Sequence, residues 1–194
     1  MTSQKRRTKE IFMTPTTSEQ SLSYLRNVTV AFVSQICYLR KLFPDDTFDT
    51  RTIDSLQIRS FKKDKTNAQL SDILKALSIG IEKSAIESIT LNIMADEEIL
   101  ESYTISIKDM RDSVNKDHLR SSVEKLFENL DRAVEGLDKV PNNSCIFFNV
   151  ASEKDKWGSQ DSFTETKKRK YQLQKYKIGK LNTGFHAADF TYRK

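Results

Sequence analysis

Cys145-Ile146-Phe147-Phe148-Asn149-Val150 is the stretch on which the arrangement of the whole chain turns. Within it, Ile146–Val150 reads as a short strand with apolar side chains on both faces. Such a strand cannot lie bare at a sheet edge without inviting other chains to pair with it, so some element must cover it. Residues 151–170 follow. They are polar, carry two charge-rich stretches, and hold Trp157 and Phe163 as isolated aromatics. Structureless spans of this length are uncommon inside compact domains unless they are functional or disordered. Order then returns with Tyr171, Leu173, Tyr176, Ile178 and Leu181, a turn near Asn182-Thr183-Gly184, and strand-like aromatics from Phe185 to Tyr192. The C-terminus is therefore expected to be a piece of sheet tethered by a long flexible connector.

Working back from that strand, Leu119, Val123, Leu126, Phe127, Leu130, Val134 and Leu137 form one helical stripe, capped near Asn115 or Asp117 and stopped by Pro141. Before it the period changes to two. Ile89, Leu91 and Ile93 alternate with polar residues, as do Tyr103, Ile105 and Ile107, with Ala95-Asp96-Glu97-Glu98 between them. This predicts an antiparallel hairpin with one buried face. Leu70, Ile73, Leu74, Leu77 and Ile81 predict a second helix, and Thr52–Lys62 a short strand with irregular flanks. The first helix starts at a capping box of Thr17 and Gln20 and ends at Pro44. Its apolar residues, from Leu22 to Leu42, cover so much of the circumference that it belongs at the centre of the domain. Residues 1–16 read as a flexible basic arm. The fold class is α+β, with three helices packed on an antiparallel sheet.

At 194 residues, 37% hydrophobic and 30% charged, the chain suits one domain with a sizeable core. No apolar run approaches the roughly 18 residues that cross a bilayer, and the N-terminus lacks the apolar segment and cleavage site of a signal peptide. Cys37 and Cys145 each lie in an apolar stretch, which predicts reduced, buried thiols in the cytoplasm or nucleus. The net charge of +5 gathers at Lys5-Arg6-Arg7-Thr8-Lys9 and Lys167-Lys168-Arg169-Lys170. Runs this short are usually solvated loops, sometimes nuclear-import signals, and less often a nucleic-acid surface.

Catalysis finds no residues to carry it. His118 opens the third helix among charged neighbours and reads as a surface residue, far in sequence from His186. No Cys/His spacing fits zinc. Gly179-Lys180-Leu181-Asn182-Thr183-Gly184 has the glycine spacing of a phosphate-binding loop, but Phe185-His186 stand where Lys and Ser/Thr are required. Asp96, Glu97 and Glu98 read as turn residues, and Asp45 and Asp46 likewise. No nucleophile, base and orienting partner can be named together. The sequence thus predicts no catalytic residue, no metal site and no cofactor, and a binding domain that is not an enzyme.

Ile36-Cys37-Tyr38-Leu39-Arg40-Lys41-Leu42-Phe43-Pro44, running on to Phe48-Asp49-Thr50-Arg51-Thr52-Ile53-Asp54-Ser55-Leu56, resembles the YLR…FP…TR stretch of meiotic HORMA-domain proteins. Glu101-Ser102-Tyr103-Thr104 resembles the second hairpin strand of that family, and Thr183-Gly184-Phe185-His186 the T-x-FH of its C-terminal segment. The likeness runs over residues 18–194 with the elements in the family's order, and is poor over 151–170. It implies a HORMA fold, with 17–150 as the core and 151–194 as a mobile safety belt that wraps a short peptide, the closure motif. The peptide is implied to add a strand beside Cys145, Ile146, Phe147, Phe148, Asn149 and Val150. The last belt strand is implied to pair with the second hairpin strand at Tyr103, Ile105 and Ile107. Tyr176, Ile178, Phe185, His186, Phe190 and Tyr192 would anchor the closed belt. Read without the family, Phe185 fills a core pocket and His186 satisfies a backbone carbonyl.

Backbone hydrogen bonds of an added strand supply affinity and side-chain pockets supply selectivity. A long connector adds little closure entropy, and a wrapped peptide leaves slowly because the belt must open first. The implied partners are closure-motif peptides of axis proteins or of a tail of the chain's own, with head-to-tail assembly among HORMA proteins. The implied place is the nucleus, on meiotic chromosomes, in support of recombination and synapsis. Checkpoint, polymerase-adaptor and autophagy HORMA proteins share the architecture, and the YLR…FP…TR stretch favours the meiotic branch. Meiotic members usually continue into a tail, whereas the last expected strand here reaches Lys194, so the sequence is expected to be a domain of a longer chain. The alternative from another class is a basic nucleic-acid module. Against it, the aromatics follow the apolar pattern and do not interleave with the basic runs, which leaves weak, non-specific DNA contact and no membrane contact. Removing residues 171–194 is expected to abolish peptide binding and to bare Phe147 and Phe148.

Overall fold

Thr17, in an extended conformation, caps the first helix, α1 (Ser18–Leu39), its hydroxyl accepting from the Gln20 amide at 3.2 Å. This is a computed structural model, and it describes residues 14–53, 56–112, 116–158, 163–164 and 173–194. The N-terminal arm through residue 13, Asn115, the Lys167–Lys170 cluster and Tyr171 lie outside the described residues. The capping box is only half formed, because the Gln20 amide oxygen accepts from Thr16 N at 2.8 Å and leaves the cap's own N–H alone. The helix also ends earlier than Pro44. Lys41 turns into the left-handed region at φ 54°, and Leu42 N then donates back to Cys37 O.

What reads as one short strand over 52–62 is a two-stranded hairpin, β1 (Phe48–Ile53) and β2 (Leu56–Phe61). It stands apart from the main sheet and packs on α1. Two polar side chains of α1 secure it: Ser34 Oγ accepts from Phe61 N at 2.8 Å and Gln35 Oε1 from Arg59 N at 3.0 Å. Phe48 stacks on Phe61 beneath them. The next helix, α2 (Ala68–Glu82), is capped by Asn67 and closes with Ser84 at φ 51°.

The main sheet begins with β3 (Ile86–Ala95) and β4 (Glu98–Asp109), joined by Asp96 and Glu97. Both turn residues have positive φ, as a two-residue turn matched to the strand twist requires. Then comes α3 (Lys116–Glu135), whose stripe Leu119, Val123, Leu126, Phe127, Leu130 and Val134 is buried throughout. It stops at Glu135, well before Pro141, and leaves Leu137 outside the helix. The remaining elements are β5 (Cys145–Ser152), a single turn α4 (Lys154–Trp157), β6 (Lys175–Asn182) and β7 (His186–Arg193).

The five strands run β5-β3-β4-β7-β6, each antiparallel to its neighbours. The inward face carries Ile89, Leu91, Ile93, Tyr103, Ile105 and Phe190, all buried. Phe32 of α1 is the centre of the core, its ring 4.9 Å from Phe190 and 6.4 Å from Phe127. Full burial of one such aromatic contributes roughly 1.5–3 kcal/mol relative to exposure. Gly179 lets β6 approach α3, since a Cβ there would lie 2.9 Å from Leu126 Cδ1.

Candidate functional site

β5 is one edge of the sheet. It pairs with β3 from Met94↔Cys145 to Ile86↔Ser152, and among the described residues no strand pairs with its other side. The strand runs to Ser152, two residues beyond the predicted end. Ile146, Phe148 and Val150 turn inward and pack half-buried against the core, whereas Phe147 and Asn149 lie opposite Asn92 and Thr90 on the outer face. Cys145 is exposed, which corrects the expectation of a buried thiol: it opens the edge strand, where little covers it. Cys37 is buried.

Beside the start of β5 lies a cleft of about 250 Å³, lined by Leu42, Phe43, Leu70, Ile73, Ile146 and Phe148 among others. The two edges of the sheet are composed differently. Lys175, Lys177 and Lys180 stud β6, the kind of charge that keeps an edge from pairing, while no residue of β5 is charged. An uncharged, unpaired backbone next to a cleft lined by both apolar side chains and the polar Asn67, Gln69 and Ser144 can accept an extended chain as a further strand.

The chain leaving β5 is ordered at first, contrary to a structureless span from residue 151. Glu153 N donates to Ala85 O at 2.8 Å, and the Trp157 indole donates to Ala76 O at 3.2 Å. Trp157 is buried, and the two aromatics that look isolated in sequence meet, with Phe163 5.2 Å away. Room for the indole comes from Gly80, where a Cβ would lie 2.7 Å from Trp157 Nε1. Residues 159–162 and 165–172 lie outside the described residues.

The C-terminal hairpin is docked on the opposite half of the sheet. β7 pairs with β4, with Tyr103 opposite Tyr192, Ile105 opposite Phe190, and Ile107 opposite Ala188. Tyr176, Tyr192 and Tyr103 stack across three strands, with centroids 5.0 and 6.2 Å apart. Ile178 is buried and its carbonyl accepts from Asn129 of α3 at 2.8 Å. Phe185 does not fill a core pocket; it is 36% exposed at the hairpin turn, and only its carbonyl is engaged, by Met110 N. The hairpin lies beyond β3 and β4 from β5. Its removal would therefore bare Tyr103, Ile105 and Phe32, and not Phe147 and Phe148 as the sequence suggested.

His186 latches this hairpin to the first turn of α1. Its Nδ1 lies 2.7 Å from Ser21 Oγ, which is 2.5 Å from Thr183 Oγ1. Thr183 Oγ1 also donates to His186 O and accepts from His186 N. The His186 partner is thus a buried hydroxyl, and its own backbone closes the turn, with Gly184 at φ 90°. Burial holds the imidazole below its usual pKa, opposed by Asp109, whose carboxylate lies 3.5 Å from Nε2.

A second buried connection joins α1 to β4. Arg40 grips Glu101 with Nε at 3.0 Å and Nη2 at 2.5 Å, and Nη2 also donates to Asp138 O at 2.5 Å. Tyr103 donates to the same carboxylate at 2.7 Å. Burial, and then the charge of Glu101, push the Tyr103 hydroxyl far above its usual pKa. Arg40, Glu101 and Thr183 stand in the recognisable motifs, but the sequence assigned no buried contact to any of them; it marked Trp157 only as an isolated aromatic and gave no role to Ser21. The available signal for Ser21 was a small polar residue on the apolar stripe of a helix. His118 is exposed, and among the described residues no group of three or more His, Cys, Asp or Glu could hold a metal. Also among them, no helix is long and apolar enough to cross a membrane.

The family model of the HORMA domain matches residues 21–186. HORMA domain-containing protein 1 of Rattus norvegicus is 36% identical over 59 residues, which is 30% of this chain and only 15% of the rat protein. In three dimensions the chain resembles C. elegans HTP-2 bound to the HIM-3 closure motif, with TM-score 0.79, 14% identity, and coverage of 91% of this chain and 90% of that one. It resembles a chain of the mitotic checkpoint complex equally well, with TM-score 0.81, 15% identity, and coverage of 93% and 97%. At such identities the two structural likenesses speak for the fold.

Proposed function

Because this chain belongs to the HORMA-domain family, we propose that it captures closure-motif peptides as a strand added to β5 and so serves as a scaffold of the meiotic chromosome axis. The observation that carries the reading is the free, uncharged edge of β5 beside the cleft, set against the lysine-studded edge of β6. Residues 17–150 form the binding core. Residues 151–194 form the belt, its hairpin latched through His186 and anchored by Phe190, Ile178 and the tyrosine stack, with Phe185 at its tip. An added strand gains backbone hydrogen bonds along Cys145–Val150, and one of its side chains enters the cleft. The function is binding without turnover, in the nucleus on meiotic chromosomes, with closure-motif partners from other axis proteins. HTP-2, solved with the HIM-3 closure motif, offers the precedent, and the stretch shared with HORMA domain-containing protein 1 favours the meiotic branch over the checkpoint one.

Fluorescence anisotropy against a panel of closure-motif peptides, including that of HIM-3, with scrambled controls, tests this. Saturable, slowly dissociating binding is expected, and it should vanish when residues 171–194 are deleted from a chain that stays folded by circular dichroism. A gentler variant, Cys145→Lys with Asn149→Lys, gives β5 the guard that β6 has and should weaken capture by about tenfold, roughly 1.4 kcal/mol. Binding untouched by both changes would sink the proposal.

A further inference from the structure

The sheet face turned away from the helices carries a charge pattern that strand capture leaves unused. Cross-strand partners share a face, so the register fixes its members: Lys175 opposite Arg193, Lys177 opposite Thr191, and Lys180 opposite Asp189 on β6 and β7. On β4, Ser102, Thr104, Ser106 and Lys108 continue the same rows. Among these residues Asp189 is the only acid, and Lys108 pairs with it at 3.5 Å. Lys175, Lys177 and Lys180 are exposed, and Arg193 is half-exposed. Asp112 reaches only the far end, where Asn182 donates to it at 3.2 Å.

We propose that this outer face binds duplex DNA through its phosphate backbone. Lys175 and Lys177 are two strand residues apart, about 6.6 Å, which matches the advance of two phosphates of one DNA strand measured along the helix axis, about 6.8 Å. The hydroxyls of Ser106 and Thr191 lie in the same rows and can donate to phosphate oxygens. An acidic protein segment would meet the same charge, but it would also want an apolar anchor, since interface energy concentrates in buried aromatic and Arg contacts. The rows named above hold no aromatic, and their one apolar side chain, Ala187, is already buried. The contact is independent of sequence and of peptide capture.

The test is anisotropy of a labelled duplex of about 20 base pairs with the whole 194-residue chain across a salt series. Four contacts, from Lys175, Lys177, Lys180 and Arg193, predict a log–log slope of about −3.6, so that affinity falls roughly 150-fold between 50 and 200 mM salt. Lys175→Gln with Lys177→Gln and Lys180→Gln should flatten that slope to about −0.9, a fall of only about 3.5-fold. These exposed side chains can be changed without disturbing the core, which an unaltered thermal transition would verify. An unchanged slope in the triple variant would place the contact elsewhere, at Lys5–Lys9 or Lys167–Lys170, and overturn the proposal. So would binding of a poly-glutamate peptide in the absence of duplex binding.

Discussion

Replacing Ser21 with Ala should loosen the C-terminal hairpin while leaving the rest of the sheet closed. The hydroxyl is fully buried and holds both His186 Nδ1, at 2.7 Å, and Thr183 Oγ1, at 2.5 Å. Thr183 keeps its bonds to the His186 backbone, so the principal loss is a ring nitrogen left buried without its partner. An orphaned buried group costs about 1–3 kcal/mol and a lost hydrogen bond about 1 kcal/mol net. The orphaned nitrogen is the larger of the two and sets the loss at about 1–3 kcal/mol, equivalent to roughly a 5- to 160-fold change in an opening equilibrium. Native-state hydrogen exchange reads this directly. Protection of the β7 amides should fall by that factor, while the β3 amides keep theirs because they pair with β4 and β5 alone. Unchanged protection in β7 would refute the latch. An equal fall in β3 and β7 would mean that Ser21 supports the whole domain and not the hairpin.

The same latch should respond to pH. His186 is held below its usual pKa mainly by burial, so the unfolded chain takes up the proton first as pH falls below about 6.5. Stability present at neutral pH is then lost as pH falls toward the folded value. Urea midpoints at pH 7.5 and 5.5 should therefore separate more for the native chain than for His186→Gln. Arg40→Ala leaves Glu101 buried without its cation and should cost about 3–5 kcal/mol in urea unfolding, whereas Arg40→Met with Glu101→Leu and Tyr103→Phe, which also removes the hydroxyl that Glu101 accepts from, should recover most of that loss. Gly80→Val pushes a side chain toward Trp157 Nε1, 2.7 Å from the position of a Cβ, and against Ile86. Since Trp157 is the sole tryptophan, its emission should shift to the red, with a stability loss of about 1–3 kcal/mol.

The three long helices, the β3–β4 hairpin and the ordered C-terminal strands were legible in the sequence because each is written in a local period. Leu119 to Val134 repeats with the turn of a helix, and Ile89, Leu91 and Ile93 alternate with the pleat of a strand. The stops of α1 and α2 were harder to read. Lys41 and Ser84 take the left-handed conformation with no glycine to announce it. β1 was missed because Asp49, Thr50, Arg51 and Thr52 all face water, and it is β2 and its seat on α1 that make the segment a strand.

For the candidate site the division falls at the same place. Two apolar faces at Ile146–Val150 marked that strand as one needing a partner, and the Thr183–His186 motif marked the hairpin turn, both within a few residues of sequence. The family resemblance implied that the last strand pairs with β4, and β7 does so; only the tertiary structure decided that β5 is left open, that Trp157 leaves the connector to dock on α2, and that Phe185 faces outward. It alone joined Ser21 to His186 and Arg40 to Glu101, groups 165 and 61 positions apart. Which residues share a face of a helix or strand follows from its local period, so a sequence can display it. Which edge of a sheet is filled depends on the summed packing of distant segments, and no local pattern records that sum.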